Sequence, residues 1–476
     1  MTEHTVETRV GVAFAAIVLA MLPAVLDQTI LATALPVIAS DLGSLSDVSW
    51  VVSAYVVAAA AATPLWGKLG DRHGRKLLLQ VALVGFVATS ALCSAATDIT
   101  QLIGLRAVQG AAAGGLMTLA MAVVGDLVAP RERGRYQGYI AATFAAATIV
   151  GPLVGGALVQ GAGWRWVFLV NLPVGAAALV GLQLRLPGRP AERPAHPLDV
   201  VGAVLLAGAT SALMLVCILG GGRFAWASAP TAALIAGVVV LTAALIVRER
   251  RAADPIVPVA MLRMRAIAVS SSALFLATAA LFAVTVFVPL YLQATTGASP
   301  TEAGLLFVPA MLGITVSTTL SGRSITRTGR YRRFPIAGLG LMTAALLVLA
   351  AVAPATSRAA TGVGLALFGL GFGMVTQVLI IAVQNGVDRR ELGVATAAAG
   401  FFRGLGGAVG AAVLGAVFAA VAGTHVGEGG VHLAAGSRDV VVDAVRAVFL
   451  VAAPLAAVAL AVVLRLPERP LTRSHG

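Results

Sequence analysis

Two residues of opposite charge lie deep inside apolar stretches of this 476-residue chain. Asp27 lies in the segment Pro23-Ala-Val-Leu-Asp27-Gln-Thr-Ile, and Arg106 begins the segment Arg106-Ala-Val-Gln109-Gly110. A charge at the centre of a bilayer costs about 2.5–3.5 kcal/mol even on mild scales, so each residue needs a function or a partner. A carboxyl group in such a place is either neutral or paired with a cation, and a group that changes between these states can carry a proton. We therefore predict that Asp27 and Arg106 are the proton-coupling residues.

A purely structural role is the alternative for this pair. Asp27 could be held permanently in a salt bridge between helices, and Arg106 could be satisfied by helix carbonyl groups. Arg403, in the segment Phe401-Phe402-Arg403-Gly404, is a second cation inside an apolar stretch. For Arg403 the sequence leaves both contact with a substrate and structural pairing open.

The sequence carries no further group of residues suited to catalysis, metal binding or nucleotide hydrolysis. None of the six His residues lies in an apolar stretch, and Cys93 and Cys217 lie in separate apolar runs, so no metal site is expected. A GxxxxGK[ST] loop is absent, which argues against ATP-driven transport by this chain. We predict that the chain is not an enzyme and needs no cofactor.

The composition indicates that a polytopic membrane protein positions these residues. Hydrophobic residues make up 59% of the chain and charged residues 11%, whereas soluble proteins carry about 25% charged residues. Apolar runs bounded by charges or by Gly/Pro turns lie at about 10–38, 50–66, 77–97, 102–124, 136–160, 166–184, 199–219, 230–247, 267–292, 302–321, 334–353, 361–383, 394–421 and 441–464. The predicted fold class is an all-α polytopic membrane protein with 14 transmembrane helices.

The distribution of basic residues supports this partition. The chain has 33 Lys and Arg residues, and most fall in the terminal segments and in alternate loops. The intervening segments and the helix ends beside them carry only Arg165, Arg223, Arg358, Arg438 and Arg446. The positive-inside rule then predicts a protein of the cytoplasmic membrane with both termini in the cytoplasm. Basic loops facing anionic lipid also explain the net charge of +13 without any bound nucleic acid.

An internal repeat divides the chain into two related parts. Gly67-Lys-Leu-Gly-Asp71-Arg72-His-Gly74-Arg75 follows the second span, and Gly322-Arg-Ser-Ile-Thr326-Arg327-Thr-Gly329-Arg330 follows the tenth. Gly, Arg, Gly and Arg match at four offsets, although two basic turns can also match by chance. The repeat predicts a six-helix half at 1–197, two inserted helices at 198–252, and a six-helix half with a cytoplasmic tail at 253–476. Such repeats are typical of transporters that work by alternating access.

The fifth span contains closely spaced small residues and a proline. Its segment Gly151-Pro152-Leu-Val-Gly155-Gly156 places small residues four positions apart, which lets helices approach closely. Pro152 interrupts the helical hydrogen bonds and allows a bend. We expect these residues to form a flexible packing seam between the halves, and an ordinary tight helix contact is the compatible alternative.

Together these segments resemble the major facilitator superfamily, and in particular its fourteen-span drug:proton antiporter branch, over essentially the whole chain. Residues 67–76 are similar to the superfamily's motif between spans 2 and 3. The Arg106 segment is similar to its span 4 motif, and residues 151–156 to its antiporter motif of span 5. Residues 26–36 are similar to the first-helix motif of the branch, but Ala32 stands where that branch usually has Asn.

The resemblance implies the major facilitator fold and proton-driven export of lipophilic, drug-like compounds, as in multidrug efflux and antibiotic resistance. It also implies an inner-side charge network that holds the outward-open state. Carried onto this chain, that gating network comprises Gly67, Asp71, Arg72, Gly74 and Arg75, with Asp126 as a further partner. Since Thr326 replaces the Asp in the second copy, only the first half should form the complete latch. The expected partners are protons, a small lipophilic substrate and membrane lipid, and we expect a monomer.

Other functions remain compatible with the sequence. The chain could export one metabolite, antibiotic or lipid, or it could be an importer. A polytopic enzyme acting on lipid-linked substrates would require an essential outer carboxylate, whereas Glu428, Asp439 and Asp443 near the last outer loop are scattered. A sensor that transports nothing could also have this fold.

Overall fold

The computed structural model is built almost entirely of α-helices. It describes residues 3–42, 47–186, 197–221, 223–296, 305–423, 426–427, 430–431, 438–469 and 471. Residues 1–2, 187–196 and 472–476, and Glu428 near the last outer loop, lie outside the described residues. Apolar segments form helices here because a backbone in lipid must satisfy its hydrogen bonds within itself.

The helices of the N-terminal part and of the predicted insert follow the predicted apolar runs and extend beyond most of them. They are α1 Glu3–Leu42, α2 Val48–His73, α3 Arg75–Ser94, α4 Ile99–Leu127, α5 Arg133–Gly161, α6 Trp166–Leu169, α7 Asn171–Arg185, α8 Val200–Leu219 and α9 Ala229–Arg251.

The C-terminal part contains seven more α-helices and a short hairpin within its described residues. The helices are α10 Val259–Arg263, α11 Arg265–Thr296, α12 Val308–Thr328, α13 Arg333–Val352, α14 Arg358–Gln384, α15 Leu392–Ala422 and α16 Arg438–Val463. The hairpin pairs β1 Val426–Gly427 with β2 Gly430–Val431 in antiparallel register. Single turns of 3₁₀-helix lie at Ala353–Ala355 and Arg389–Glu391.

Thirteen helical segments of the described chain are long and apolar enough to cross a membrane, and α6 with α7 forms one of them. The remaining predicted span, at about 302–321, corresponds to α12, which lies later in the chain than predicted. This helix carries several hydroxyl residues and packs against α14 and α5. A helix that packs against protein on two sides needs less hydrophobicity than one surrounded by lipid. With α12 included, the candidate membrane-spanning segments of the described chain number fourteen, as predicted.

The basic motif after the second span is mostly helix, although its sequence suggested a loop. Helix α2 continues through this motif to His73 and ends at Gly74, whose φ of 92° favours glycine. In the second copy α12 continues to Thr328 and ends at Gly329, which has a φ of 70°. The glycines that end these helices occupy the same offset in both copies, so the helical register repeats together with the sequence.

Each of the two repeats packs around its own hydrophobic core. Residues such as Ile17 and Leu116 are fully buried in the N-terminal bundle, and Leu379 and Phe418 are fully buried in the C-terminal bundle. Helices α8 and α9 pack against each other, and α8 also contacts α2 and α15. The predicted insert therefore lies against both bundles.

The two bundles meet closely at the end of the molecule that carries the basic motifs. A Cβ atom on Gly67 of α2 would lie 2.5 Å from Cβ of Ala397 in α15. A Cβ atom on Gly134 of α5 would lie 2.8 Å from the carbonyl oxygen of Gly322 in α12. We call this the basic end, because it includes Arg72, Arg75, Arg131, Arg327, Arg389 and Arg465.

The small-residue motif of α5 packs within the N-terminal bundle, so its predicted place between the halves is wrong. A Cβ atom on Gly151 would collide with the side chain of Thr29 in α1. A Cβ atom on Gly155 would collide with Thr33 and lie 2.9 Å from the carbonyl oxygen of Ile30. Gly spacing shows that a helix can be approached closely, but not which neighbour approaches it. The contact of α5 with the other half uses Gly134 and Gly138 instead.

The remaining two residues of that motif make no such contact. A Cβ atom on Gly156 would meet no atom within 4 Å, and Pro152 is exposed. Pro152 lies inside α5 without ending it, since α5 continues to Gly161. The motif therefore has one packed side, formed by Gly151 and Gly155, and one open side.

This difference predicts unequal effects of two neighbouring substitutions. Gly155→Ala should lower the stability of the folded protein by about 1–3 kcal/mol, because the methyl group overpacks the contact with α1. Gly156→Ala, in the same helix, has open space for the methyl group and should keep stability or raise it by up to about 1 kcal/mol, because Ala favours a helix more than Gly does. Thermal unfolding of both purified variants in the same detergent measures the difference. Equal unfolding temperatures would show that the contact between α5 and α1 is not tightly packed.

Candidate functional site

Asp27 and Arg106, the two predicted proton-coupling residues, are joined in a salt bridge. The Arg106 Nη1 donates to Asp27 Oδ2 at 2.5 Å and links α4 to α1. Asp27 is 0% exposed and Arg106 is 1% exposed. The structure therefore brings together the two charges that the sequence placed far apart in apolar surroundings.

Further polar contacts hold the guanidinium group of Arg106 in place. Its Nη1 also donates to Oε1 of Gln109 at 2.7 Å, and its Nε donates to the carbonyl oxygen of Val51 at 3.2 Å. The centre of the guanidinium lies 4.2 Å from the centroid of the Tyr55 ring, close enough for a cation–π interaction. Helix α2 supplies Val51 and Tyr55, so three helices meet at this cation.

The carboxylate of Asp27 has two amide donors besides Arg106. Its Oδ1 accepts from Nε2 of Gln109 at 3.2 Å and from Nδ2 of Asn171 at 3.4 Å. Asn171 belongs to α7 and also donates to Ser90 of α3 at 3.0 Å. Sequence reasoning assigned no role to these amides. The spacing of three between Arg106 and Gln109 gave a signal for a shared helix face, whereas Asn171 gave none.

The pair lies inside the N-terminal bundle and not in the space between the bundles. The contacts of Asp27 come from α4 and α7 of its own half. Its neighbours on α1, Val25, Gln28 and Thr29, line a cavity between the halves. On helix α1, the carboxylate of Asp27 therefore faces the interior of the N-terminal bundle, whereas Val25, Gln28 and Thr29 face the cavity.

The cavity has two adjoining lobes. The first is about 390 Å³ and is lined mainly by α1, α2, α4 and α5 of the N-terminal bundle, together with residues of α14 and α15. The second is about 410 Å³ and lies between α5 and the helices α11, α12, α14 and α15. Both lobes are lined by Phe144, Thr148, Gly400 and Arg403.

Apolar and hydroxyl side chains form most of the cavity wall. The first lobe includes four threonine side chains besides Thr148, which are Thr29, Thr63, Thr118 and Thr396. The second lobe is more apolar and includes Leu281, Met311, Ile314 and Phe372. A pocket with an apolar wall and a few polar groups suits a small lipophilic compound.

Arg403, the second predicted intramembrane cation, reaches this cavity from α15. It is half-buried and lines both lobes. Within the described residues its guanidinium makes no hydrogen bond or ion pair, in contrast to the fully paired Arg106. The sequence left two roles open for Arg403, structural pairing and contact with a substrate. Among the described residues, Arg403 has no partner for structural pairing.

A network of charges closes the basic end. The Arg75 Nε donates to Asp71 Oδ1 at 2.9 Å, and its guanidinium also bonds to the carboxylate of Asp126 at the end of α4. The Arg75 Nη2 donates to the carbonyl oxygen of Arg389 at 2.9 Å. In return, Arg389 Nη2 donates to the carbonyl oxygen of Asp126 at 2.9 Å. The network therefore bridges the two bundles.

Asp71 also binds the first turn of a helix in the opposite half. Its carboxylate accepts from the backbone N–H groups of Gly393 at 3.0 Å and Val394 at 2.8 Å. These groups belong to the first turn of α15, where backbone N–H groups have no partner within the helix. A carboxylate there is also favoured by the positive end of the helix dipole. Asp71 thus caps α15 across the interface between the halves.

Arg72 does not join this network, although the sequence grouped it with Asp71 and Arg75. Its Nη1 lies 3.2 Å from Oδ2 of Asp254, and Lys68 also forms a salt bridge with Asp254. The reason is helical periodicity, because the motif is helix up to His73. Positions 68 and 72 share one side of α2, while position 71 faces Arg75 across the helix end. Asp254 lies between α9 and α10, and sequence reasoning gave it no role.

The two glycines of the motif serve close packing and helix termination. Gly67 lets α2 touch α15, since any side chain would collide with Ala397 and with the carbonyl oxygen of Gly393 at 2.6 Å. Gly74 ends α2 and turns the chain into α3, which begins with Arg75. The structure thus brings five of the predicted gating residues together at the basic end: Gly67, Asp71, Gly74, Arg75 and Asp126.

The second copy of the motif contributes backbone acceptors to the same closure. The Arg131 Nε donates to the carbonyl oxygen of Thr326 at 2.7 Å, and its Nη2 bonds to the carbonyl oxygen of Arg327. The hydroxyl of Thr326 donates to Gly322 of its own helix at 3.0 Å. The second copy therefore holds the N-terminal bundle through its main chain, without an acidic side chain at this position.

Comparison with known proteins agrees with this architecture. The family model of the Major Facilitator Superfamily matches residues 17–411. An uncharacterized MFS-type transporter of Mycobacterium tuberculosis is 38% identical over 411 residues, and the match covers 86% of this chain but 60% of that protein. The chain therefore spans about 60% of the length of that relative. The multidrug transporter protein MdtP of Bacillus subtilis is 33% identical over 407 residues, which cover 86% of this chain and 75% of MdtP.

Two solved structures have the same fold at low sequence identity. The human organic anion transporter MFSD10 superposes with a TM-score of 0.67 at 18% identity, covering 95% of this chain and 99% of that one. The proton:xylose symporter XylE superposes with a TM-score of 0.65 at 14% identity, covering 97% of both chains. The predicted fold class, an all-α polytopic membrane protein with the major facilitator fold, is confirmed. By its sequence and its fold, the chain belongs to the major facilitator superfamily.

Proposed function

We propose that this protein is a proton-coupled antiporter that exports lipophilic, drug-like compounds across the cytoplasmic membrane. The observation that carries the proposal is the fully buried pair of Asp27 and Arg106 on a helix that also lines the central cavity. Export is supported by the relatives named multidrug transporter protein MdtP and multidrug resistance protein 3 of Bacillus subtilis, which are 33% and 32% identical to this chain.

The cavity supports the choice of a lipophilic substrate. Its two lobes, of about 390 and about 410 Å³, lie between the bundles and offer mainly apolar and hydroxyl surface. A drug-sized compound fits a space of this size and gains free energy by leaving water. We propose residues 1–197 and 253–476 as the two bodies that move about this cavity, with 198–252 as an insert. One chain supplies both walls, which is consistent with a monomer.

The closed basic end supports a direction for the transport cycle. The positive-inside rule places this end, and with it both termini, on the cytoplasmic side. The cavity in this conformation is then closed toward the cytoplasm by the network of Asp71, Arg75 and Asp126 and by the glycine contacts of α2 and α5. Opening toward the cytoplasm requires this network to separate and expose the cavity for loading.

Protonation of Asp27 supplies the coupling step. A protonated carboxyl group no longer offers Arg106 a negative charge, and breaking a buried ion pair typically changes free energy by about 3–5 kcal/mol. A change of this size is close to the roughly 5.5 kcal/mol that reverses a two-state equilibrium from 1:99 to 99:1. Helix α1 transmits the change, because Gln28 and Thr29 next to Asp27 line the cavity. Proton binding and substrate binding then oppose each other, as antiport requires.

The proton gradient is the only energy source in this proposal, which calls for no cofactor. Asp27 is enclosed by Arg106, Gln109 and Asn171 in the present conformation. Protons must therefore reach it in another conformation, when α1 and α4 have shifted. This sequence of events keeps protons from leaking through a cavity that is open to one side.

The first test replaces Asp27 with Asn, which keeps the shape of the side chain but cannot ionise. Asp27→Asn should lower proton-driven transport at least about tenfold, since a barrier of 1.4 kcal/mol suffices for that loss. The measurement is the uptake of N-phenyl-1-naphthylamine, an uncharged lipophilic dye, by inside-out proteoliposomes with an imposed pH gradient. Chromatographic elution and thermal unfolding in detergent check that the variant is folded.

Asp41→Asn is the matched control, because Asp41 is a half-exposed acid near the C-terminal end of α1. It should transport at close to the wild-type rate. Full dye-dependent proton release from correctly folded Asp27→Asn would remove Asp27 from the coupling mechanism.

A second test concerns closure at the basic end. Asp71→Asn removes the ion pair with Arg75 and the negative charge of the cap on α15, and a charge at a helix N-terminus typically contributes about 1 kcal/mol. The population of the conformation open at this end should then rise about fivefold. We expect Ala397→Cys, placed at the contact with Gly67, to react with a membrane-impermeant maleimide about fivefold faster when Asp71→Asn is also present. The measurement uses inside-out vesicles and a chain in which Cys93 and Cys217 are replaced by Ser.

Asp98→Asn provides the control for this test. Asp98 caps α4 through the N–H of Gln101 at 2.8 Å, but it does so within one half and at the other end of the bundle. This substitution should leave the labelling rate unchanged. An unchanged rate for Asp71→Asn as well would show that the cap does not hold the basic end closed.

A further inference from the structure

We propose that Arg403 forms an anion-binding subsite in the central cavity, so that the preferred substrates are amphiphilic organic anions. Such compounds have an apolar body and one ionised group, for example a carboxylate or a sulfonate. This inference rests on the proposed export function and names the class of compound that the cavity selects.

The position of Arg403 suits a subsite at the centre of the transport path. Arg403 lies eleven positions after Leu392, the first residue of α15, which corresponds to about 16 Å along the helix. That distance is about half the thickness of the hydrocarbon core of a bilayer. Arg403 lines both lobes of the cavity, so a compound in either lobe lies near its charge.

The lack of a protein partner is the main evidence for a ligand. Arg106 has Asp27, and Arg75 has Asp71 and Asp126. Arg133 is buried without a salt bridge but donates to two backbone carbonyl oxygens. Among the described residues Arg403 has neither kind of partner, and none of the residues lining the two lobes is acidic.

An unpaired cation at this depth is costly unless something else supplies the negative charge. Water in the cavity can hydrate the guanidinium in the open state. A bound anion would supply the missing partner once the cavity closes, through hydrogen bonds strengthened by both charges.

Two neutral side chains of the second lobe add an independent observation. Oε1 of Gln377 and Oγ1 of Thr278 have no hydrogen-bond partner in the described structure, and both residues line this lobe together with Arg403. Gln377 is 7% exposed. A buried polar group without a partner costs free energy, so it also indicates a site for a ligand. The hydroxyl of Thr278 can donate a hydrogen bond to an anion, whereas Oε1 of Gln377 only accepts and suits a donor group of the same ligand.

The same lobe offers the surface for an apolar body. Phe144, Leu281, Met311, Ile314 and Phe372 line it, and its volume is about 410 Å³. A compound with two or three rings would place its apolar part against these side chains and its anionic group toward Arg403. A lipophilic cation would meet an uncompensated positive charge instead, and no carboxylate among the lining residues would attract it.

Two dyes with nearly the same skeleton distinguish the contribution of the anionic charge to the affinity from that of the apolar body. 8-Anilinonaphthalene-1-sulfonate differs from N-phenyl-1-naphthylamine only by its sulfonate group, and both fluoresce more strongly in apolar surroundings. Each is titrated into the purified full chain in detergent, with protein-free micelles subtracted. The variants are Arg403→Gln, which removes the charge, and Arg403→Lys, which keeps it. Arg446→Gln removes one charge from an exposed position that lines neither lobe and is the control.

We expect Arg403→Gln to bind the sulfonate dye at least tenfold more weakly than the wild type, and to bind the uncharged dye within twofold of it. Arg403→Lys should keep most of the affinity for the sulfonate dye, and Arg446→Gln should match the wild type for both. Thr278→Val, which removes the unpartnered hydroxyl, should weaken binding of the sulfonate dye by a smaller factor.

Equal affinity of wild type and Arg403→Gln for the sulfonate dye would overturn the subsite. The subsite would also be overturned if Arg403→Gln and Arg403→Lys both lowered the affinity for both dyes to the same extent. In that case Arg403 would support the fold. These binding measurements need no gradient, so they are independent of the proposed coupling. Proton-driven transport of the uncharged dye without any preference for the anion would refute the subsite alone. A preference for the anion without proton-driven transport would refute the proposed function alone.

Discussion

The salt bridge between Asp27 and Arg106 is the interaction on which this structure depends most. Two charges inside a membrane protein are tolerated only if each satisfies the other, and here four helices enclose the pair. The carboxylate belongs to α1, whose neighbouring residues line the cavity. The pair is a structural link of the N-terminal bundle and, in the mechanism that we propose, the group that senses protons.

The Asp27–Arg106 pair and the charge network of the basic end contact α4 at opposite ends of this helix. Arg106 lies near the beginning of α4 and Asp126 near its end, twenty residues apart, which corresponds to about 30 Å. The charges at the basic end lie near helix ends, where water can solvate them when the halves separate. The Asp27–Arg106 pair has no such access in this conformation and stays within one half. In the mechanism that we propose, α4 connects protonation of Asp27 to opening of the basic end without direct contact between the two sites.

Much of the fold and part of the site could be predicted from the sequence. The apolar runs marked the helices, because hydrophobicity over a span of about 20 residues is a property of the segment alone. The pairing of Asp27 with Arg106 could be anticipated because few other charges lie at that depth. The sequence did not show which partner each charge of the motif has: Arg72 pairs with Asp254, and not with Asp71 or Asp126, because the motif is helical and Arg72 lies on another side of α2. Likewise, Gly151 and Gly155 pack against α1, although the sequence suggested the other half.

By itself, the sequence determined which segments are helical, where the basic end lies along the chain, and which buried charges require partners. These follow from the cost of placing each residue type in lipid, which is local to the residue. Only the tertiary structure decided that Asp27 faces its own bundle, that Asp71 caps α15, and that Arg403 reaches the cavity without a partner. Such contacts depend on the rotation and register of helices far apart in the chain, and no local pattern of residues sets these.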